Sequence, residues 1–483
     1  MSRSTPAQTP QAATTEATLR RDSIGAGHLV FFTVAAAAPL TVLAGFAPLA
    51  FMVGGTAVPA GFAAAGLVYL LFAVGFTTMA RHAPGAGAFY AYISHGLGKA
   101  VGAGAAAIAY LGYLGGQIGF TASAGLFAAT AGQTLFGVSP HWLVCALSIT
   151  ILVGYLGHRR VDIGARVLAG LLIAEVAVLA VFCVAVLLRG GHEGISVEVF
   201  TPSAFATTTI GGVFVIAFVA FVGFEQTAIY SEEVRDKRRT VPRATYLAVA
   251  FLAVAYTFCS WVIWLAAGPH RLGELLAGDP STLVLALGDE YMGEVMVRVM
   301  QVLLVTSFVA GVLALHNATT RYLHTMGKSG ILPAALGQVN ARTGTPGVAG
   351  LFQAGVVLAA LAVFGLAGAD PYTQIIPWTN TPTLIGVVLL QIATSVAVVR
   401  YFRHPDRRTL ESSWHRLLAP VLSAVLLTAA LTLIFAKMGL LTGMGHWGNL
   451  FINLPLVAAF AVVALRERRR TRAQASWITP RTD

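Results

Sequence analysis

The chain has 483 residues, of which 57% are hydrophobic and 11% charged, with a mean hydropathy of +0.76. A soluble globular protein of this length has no interior that could hide so much apolar side chain. A net charge of +11 would suggest nucleic acid in a soluble chain. Here the basic residues stand between apolar runs of about 20 residues, the length that crosses a bilayer, so the partner is the lipid bilayer and not nucleic acid. The fold class is therefore an all-α polytopic membrane protein.

Residues 1–25 are rich in Ser, Thr, Ala, Gln and Pro without apolar periodicity, and read as a disordered tail with no signal peptide. Twelve transmembrane spans come after it, near 28–53, 58–80, 97–131, 140–158, 163–188, 205–232, 242–268, 294–325, 346–367, 373–400, 416–437 and 446–466. With the amino terminus in the cytoplasm, 27 of the 31 Lys and Arg fall on that side, against Arg189, Arg271, Arg298 and Lys437. The positive-inside rule therefore puts both termini in the cytoplasm and the protein in the cell membrane. Residues 467–483 form a basic cytoplasmic tail, for which attraction to anionic lipid is sufficient reason. The segment from Gly268 to Gly293 is either a plain loop or short helices over the outer mouth. Cys145, Cys183 and Cys259 lie in apolar runs with no disulfide or metal-ligand spacing, and no cofactor is predicted.

Two spans carry internal breaks. In the first, Ala35, Ala36, Ala37 and Ala38 precede Pro39, which removes a helix hydrogen bond but suits the first turn of a new segment. In the sixth, Phe221-Val222-Gly223-Phe224 runs directly into Glu225, then through Ser231, Glu232 and Glu233 into a basic loop ending at Pro242. A carboxylate beside a mid-membrane glycine is either a structural group paired inside the bundle or part of a ligand-lined break. Paired interruptions at corresponding positions of two halves point to a secondary transporter's binding site. At Glu225 the helix-end dipole favours the charged carboxylate and desolvation favours the neutral one, a balance suited to loading and releasing a proton.

Three stretches carry a family resemblance. They are Phe221-Val222-Gly223-Phe224-Glu225 with Arg238, Arg239, Pro242 and Ala244; Pro84-Gly85-Ala86-Gly87-Ala88-Phe89-Tyr90-Ala91-Tyr92; and Arg321 to Pro333 followed by Thr345-Pro346. Together they resemble the amino acid–polyamine–organocation superfamily of permeases, over about residues 25–466. The resemblance implies a leucine-transporter-like fold: inverted five-helix repeats at 26–190 and 203–400, then two further helices at 401–466. It places the substrate between the two breaks, at Ala36, Ala37, Ala38, Val219, Ala220, Phe221 and Gly223, with Phe221 as an aromatic gate. Amino acid carriers of this family usually break the first span with glycines that cradle the substrate carboxylate. Alanines and Pro39 stand there in this chain, so a carboxylate-free amine competes with an amino acid as the substrate.

Among other polar residues in the spans, Glu175 is a coupling group or a structural partner, and Thr306 and Ser307 are candidate sodium ligands or interhelical bonds. Tyr110 and Tyr113 could face the cavity, while packing suits His316 and Asn317. A channel would need rings of filter groups, and an enzyme a nucleophile–base or metal constellation; neither pattern is present in the sequence. The reading is a transporter importing an amino acid by alternating access, coupled to protons or sodium, with exchange or import of a polyamine or other organic cation as the alternative.

Overall fold

In a computed structural model the described residues are 26–82, 88–159, 165–229, 234, 236–340 and 344–478. The predicted tail at 1–25, Pro84 to Gly87, and Ser231, Glu232 and Glu233 lie outside them. Nine of the described helices are long and apolar enough to cross a membrane. One stretch, Thr41–His82, runs through the first two predicted spans, and the shorter Trp142–His158 and Ile210–Val219 stand at the fourth and sixth.

The second span is Val58–His82, the third Lys99–Phe136, the fourth Trp142–Arg159 and the fifth Ala165–Leu188. The seventh is Lys237–Ala267, the eighth Glu294–Lys328 and the ninth Gly347–Leu366. The tenth is Ile376–Tyr401, the eleventh Ala419–Lys437 and the twelfth His446–Ile478. Local chemistry sets several ends. The third span stops where Gly137 takes a left-handed φ of 68°, which costs glycine little. A π turn at Pro371–Ile375 leads into the tenth, where the Asp370 carboxylate accepts from the amides of Tyr372 at 3.0 Å and Thr373 at 2.6 Å. The twelfth helix does not end near 466 as predicted. No glycine or proline occurs between Pro455 and Pro480, so nothing stops it before Ile478.

The packing has a mirrored order. The second span lies along the seventh, and the third along the eighth. The first span touches the seventh as the sixth touches the second, and the third meets the tenth as the eighth meets the fifth. Likewise, the third touches the fourth as the eighth touches the ninth, and the fifth touches the seventh as the tenth touches the second. Each contact reappears when both partners are exchanged for their counterparts five spans away. The eleventh covers the second, sixth and tenth, and the twelfth lies on the third and tenth.

Between the seventh and eighth spans the chain forms Leu272–Ala277, a 3₁₀ turn at Pro280–Thr282, and Leu283–Met292. These short helices bury Leu272, Leu283, Val284 and Leu287 and pack over the outer half of the first span and the top of the eighth. Apolar periodicity over six to ten residues is too weak to choose helix over loop; burial against the bundle decides it. On the same face Glu193 accepts from His270 Nδ1 at 2.6 Å and from the His270 amide at 3.0 Å. Their mutual hydrogen bond holds the Glu193 carboxyl below its usual range and the His270 imidazole above its own. On the opposite face Arg466 donates to the Ile331 carbonyl at 3.0 Å and Arg470 to that of Ser329 at 2.5 Å. The basic end of the twelfth helix thus ties down the end of the eighth, a role beyond lipid attraction.

Candidate functional site

Both predicted breaks are present. The first span runs Ala26–Ala37, breaks at Ala38, and resumes through a π turn, Thr41–Phe46, into Ala47–Gly54. Ala38 has φ 45°, the one non-glycine residue with positive φ among those described, and is 1% exposed. The sixth runs Ile210–Val219, crosses 220–225 as successive turns, and resumes at Gln226–Ile229. Gly223 holds φ 119° within the turns. Three-residue hydrogen bonds at Phe221, Val222 and Phe224 replace the helical ones there.

A broken helix leaves carbonyls on one side and amides on the other without intrahelical partners. In the membrane these must be satisfied by protein, and both breaks are closed by the same two residue types. At the first, Tyr256 of the seventh span donates to the Ala37 carbonyl at 3.1 Å, and Glu175 of the fifth accepts from the Leu40 amide. At the sixth, Tyr69 of the second span donates to the Phe218 carbonyl at 3.0 Å. Glu225 accepts there from the Gly223 amide at 2.9 Å, from its own amide, and from the Tyr113 hydroxyl. The two tyrosines occupy equivalent places under the five-span exchange. Tyr256→Phe and Tyr69→Phe each leave a buried carbonyl short of a donor, a loss of about 1–3 kcal/mol. Each is expected to lower the melting temperature and slow uptake several-fold, by similar amounts. A silent change at one position beside a costly one at the other would refute their equivalence.

A cavity of about 30 Å³ lies between the breaks, room for one or two water-sized bodies and less than an amino acid needs. Ala37, Val42 and Phe46 of the first span face Ile216, Val219, Ala220, Val222 and Gly223 of the sixth across it. Gly116 and Phe120 of the third, Leu315 of the eighth, and Asn380 and Thr383 of the tenth complete the wall. Of the predicted site residues Ala37, Val219, Ala220 and Gly223 line it. Ala38 is buried at the break without lining it, and the Ala36 side chain lies outside the described ones.

Two expectations need correction. Phe221 is no gate over this cavity. Its ring is 0% exposed, stacks on Tyr69 with centroids 4.9 Å apart, and meets Tyr256 edge-on at 5.4 Å. The turns at 220–225 rotate it towards the second and seventh spans, where it bridges the two carbonyl-capping tyrosines; the aromatic faces of the cavity belong to Phe46 and Phe120. Tyr110 is half-buried and does not line the cavity, whereas Tyr113, 1% exposed, reaches Glu225. Three residues of helix fall about 60° short of a full turn, enough to separate the two side chains.

Glu175 and Ser307 come together: Ser307 donates to the Glu175 carboxylate at 2.9 Å, and Thr41 donates to Ser307 at 3.0 Å. Thr306 instead bonds the Leu303 carbonyl of its own helix at 2.9 Å. His316 packs within a buried polar cluster, 3.3 Å from Gln117, which also accepts from Gln353 at 2.8 Å and Thr319 at 3.2 Å. Sequence reasoning missed Asn380 and Thr383, although Thr379-Asn380-Thr381 before Pro382 is a polar run inside an apolar span and is signal enough. Gly116, Phe120 and Leu315 carry no such signal.

A family model described as "Amino acid permease" matches residues 28–473. Two Arabidopsis thaliana proteins are similar over part of the chain. Cationic amino acid transporter 3, mitochondrial, is 26% identical over 196 residues, 41% of this chain and 30% of its own length. Cationic amino acid transporter 2, vacuolar, is 28% identical over 218 residues, 44% and 32% of the two. The branched-chain amino acid permease BcaP of Bacillus subtilis is 24% identical over 267 residues, 54% of this chain and 52% of its own. The matched stretch thus spans about a third to a half of these relatives.

Proposed function

Because this chain belongs to the amino acid permease family, whose members are membrane transporters and not enzymes, we propose that it carries an amino acid across the membrane by alternating access. The observation that carries this reading is the cavity between two interrupted spans, whose freed backbone groups are held by side chains from neighbouring helices. Its closed volume requires side chains or half-helices to move before a substrate enters. The mirrored packing of the spans supports inverted repeats at 26–190 and 203–400, which could rock about a fixed site. The basic-residue distribution supports cytoplasmic termini.

The substrate class is argued from the wall. Val42, Phe46, Phe120, Ile216, Val219 and Leu315 offer apolar surface, and no ionisable side chain among the described residues lines the cavity. This suits an aliphatic or small aromatic amino acid, in keeping with the branched-chain permease among the relatives. The organic-cation alternative has less support: Glu225, its intended counter-charge, is 0% exposed and spends its oxygens on Gly223, Tyr113 and its own amide.

For coupling we assign the proton, carried at Glu175. Its carboxylate joins the fifth span to the Leu40 amide of the first and Ser307 of the eighth, so a change of its charge alters the contact between elements that must move apart. Sodium has less support, since Ser307 is engaged and Thr306 bonds its own helix. Uptake of labelled amino acids into proteoliposomes, with and without an inward proton gradient, tests both points. Gradient-stimulated uptake is expected, with stimulation lost in Glu175→Gln. Uptake indifferent to the gradient would eliminate proton coupling, and no uptake of any amino acid would eliminate the transport reading.

A further inference from the structure

We propose that Asn380 holds the carboxylate of the transported amino acid, donating from Nδ2 in place of the backbone amides at the first break. This rests on the amino acid reading above.

The argument begins with donors. An α-carboxylate entering a low-dielectric cavity must replace the hydrogen bonds it leaves in water. Around the first break the supply is short. Pro39 has no N–H, the Ala38 amide bonds Val34 at 3.1 Å, the Val42 amide bonds Ala38 at 3.1 Å, and the Leu40 amide is held by Glu175. At the sixth break the Gly223 amide is held by Glu225. The cavity wall contains two polar side chains, Asn380 and Thr383. The Thr383 hydroxyl is engaged with the carbonyls of Gly112 and Thr379, both at 2.8 Å.

Asn380 is the remainder. It is 1% exposed, and neither Oδ1 nor Nδ2 has a hydrogen-bond partner among the described residues. A buried carboxamide with both ends unpaired is costly, and native structures keep such groups where they have a use. The third span makes room for it. A Cβ at Gly119 would lie 3.1 Å from Oδ1 and 3.3 Å from Nδ2, and Gly116 lines the cavity beside it. The group is also of the right kind. Nδ2–H to a carboxylate is a charge-assisted bond, stronger than a neutral one, and needs no buried cation that would have to be paired when the site is empty. Oδ1 is left to accept from the substrate ammonium. Because the donor is a neutral amide, it discriminates by loss of a hydrogen bond: a substrate without a carboxylate leaves Asn380 unpaired again.

The test uses the full-length protein in proteoliposomes. A panel of amino acids identifies the best substrate, and its KM is compared with that of its own carboxamide, which lacks the negative charge. Wild type should prefer the amino acid. N380D places a carboxylate against the substrate's and is expected to raise the amino acid KM at least tenfold, while the carboxamide KM changes little, so the preference collapses or reverses. N380S, smaller and neutral, should move the same ratio part of the way and serves where N380D does not reach the membrane. An unchanged ratio of the two KM values in the variants, whatever happens to the maximal rate, overturns the assignment. If wild type takes up no amino acid, the transport reading itself fails and this inference with it.

Discussion

Glu225→Ala is expected to abolish transport, and Glu225→Gln to slow it by one to two orders of magnitude. The carboxylate is fully buried and accepts from the Gly223 amide, its own amide and the Tyr113 hydroxyl. Alanine leaves these donors unpaired at roughly 1–3 kcal/mol each, a large part of the ~5–15 kcal/mol that holds a typical protein together. The turns at 220–225 would then relax, and with them Val219, Ala220, Val222 and Gly223, which form one wall of the cavity. Glutamine retains one acceptor oxygen but turns an NH₂ towards a donor, a loss of about 1.5–3 kcal/mol, and each ~1.4 kcal/mol is tenfold in rate. Initial uptake rates together with melting temperatures check this. Wild-type uptake by Glu225→Ala would show that the break does not depend on the carboxylate. Full proton coupling in Glu225→Gln would remove Glu225 from the proton path and leave Glu175 as its carrier.

The second large effect is one of sign. Gly223 sits at φ 119°, a conformation that L side chains rarely adopt, so Gly223→Ala should cost about 1–3 kcal/mol and impair uptake. Ala38 is the opposite case, an alanine already held at φ 45°, where a Cβ costs roughly 1–2 kcal/mol. Glycine would relieve that strain, while its freer unfolded chain costs ~0.5–1 kcal/mol. Ala38→Gly is therefore expected to be neutral or slightly stabilising and to keep its transport. Ala38→Val should fail, because a β-branched side chain fits neither the backbone nor a site 1% exposed. Melting temperature and uptake of the three variants, measured together, decide the matter. Equal behaviour of Gly223→Ala and wild type would mean that the sixth-span break needs no positive φ.

The alanines at the first break have a physical account. A family pattern that usually uses glycine is here filled by a residue strained at one position, Ala38, and relieved elsewhere: Pro39 removes an amide, Tyr256 takes the Ala37 carbonyl, and Glu175 takes the Leu40 amide. The substrate carboxylate loses the donors that it would otherwise use, which is the gap that Asn380 is placed to fill.

Much of this protein can be read along the chain. Apolar runs and the charges between them locate the spans to within a few residues, because crossing a bilayer imposes a length and a polarity on each segment separately. Both breaks are legible for the same reason. Pro39 after four alanines, and Gly223 beside Glu225, are local departures from what an uninterrupted lipid-facing helix tolerates. Glu175 and Glu225 stand out as carboxylates where carboxylates are costly.

Only the tertiary structure decided which side chains meet. Phe221 and Tyr113 show why: once a helix is broken, the rotation of its second half is set by neighbouring spans and not by a period of 3.6 residues. Phe221 therefore turns to Tyr69 and Tyr256 and away from the cavity, and Tyr113 takes the place beside Glu225. The same holds for Ser307 against Glu175 and for Asn380 against Gly119, contacts between residues more than a hundred positions apart. Local composition determines that a segment crosses the membrane and where it cannot remain a helix. Which face each half-helix presents is a property of the packed bundle alone.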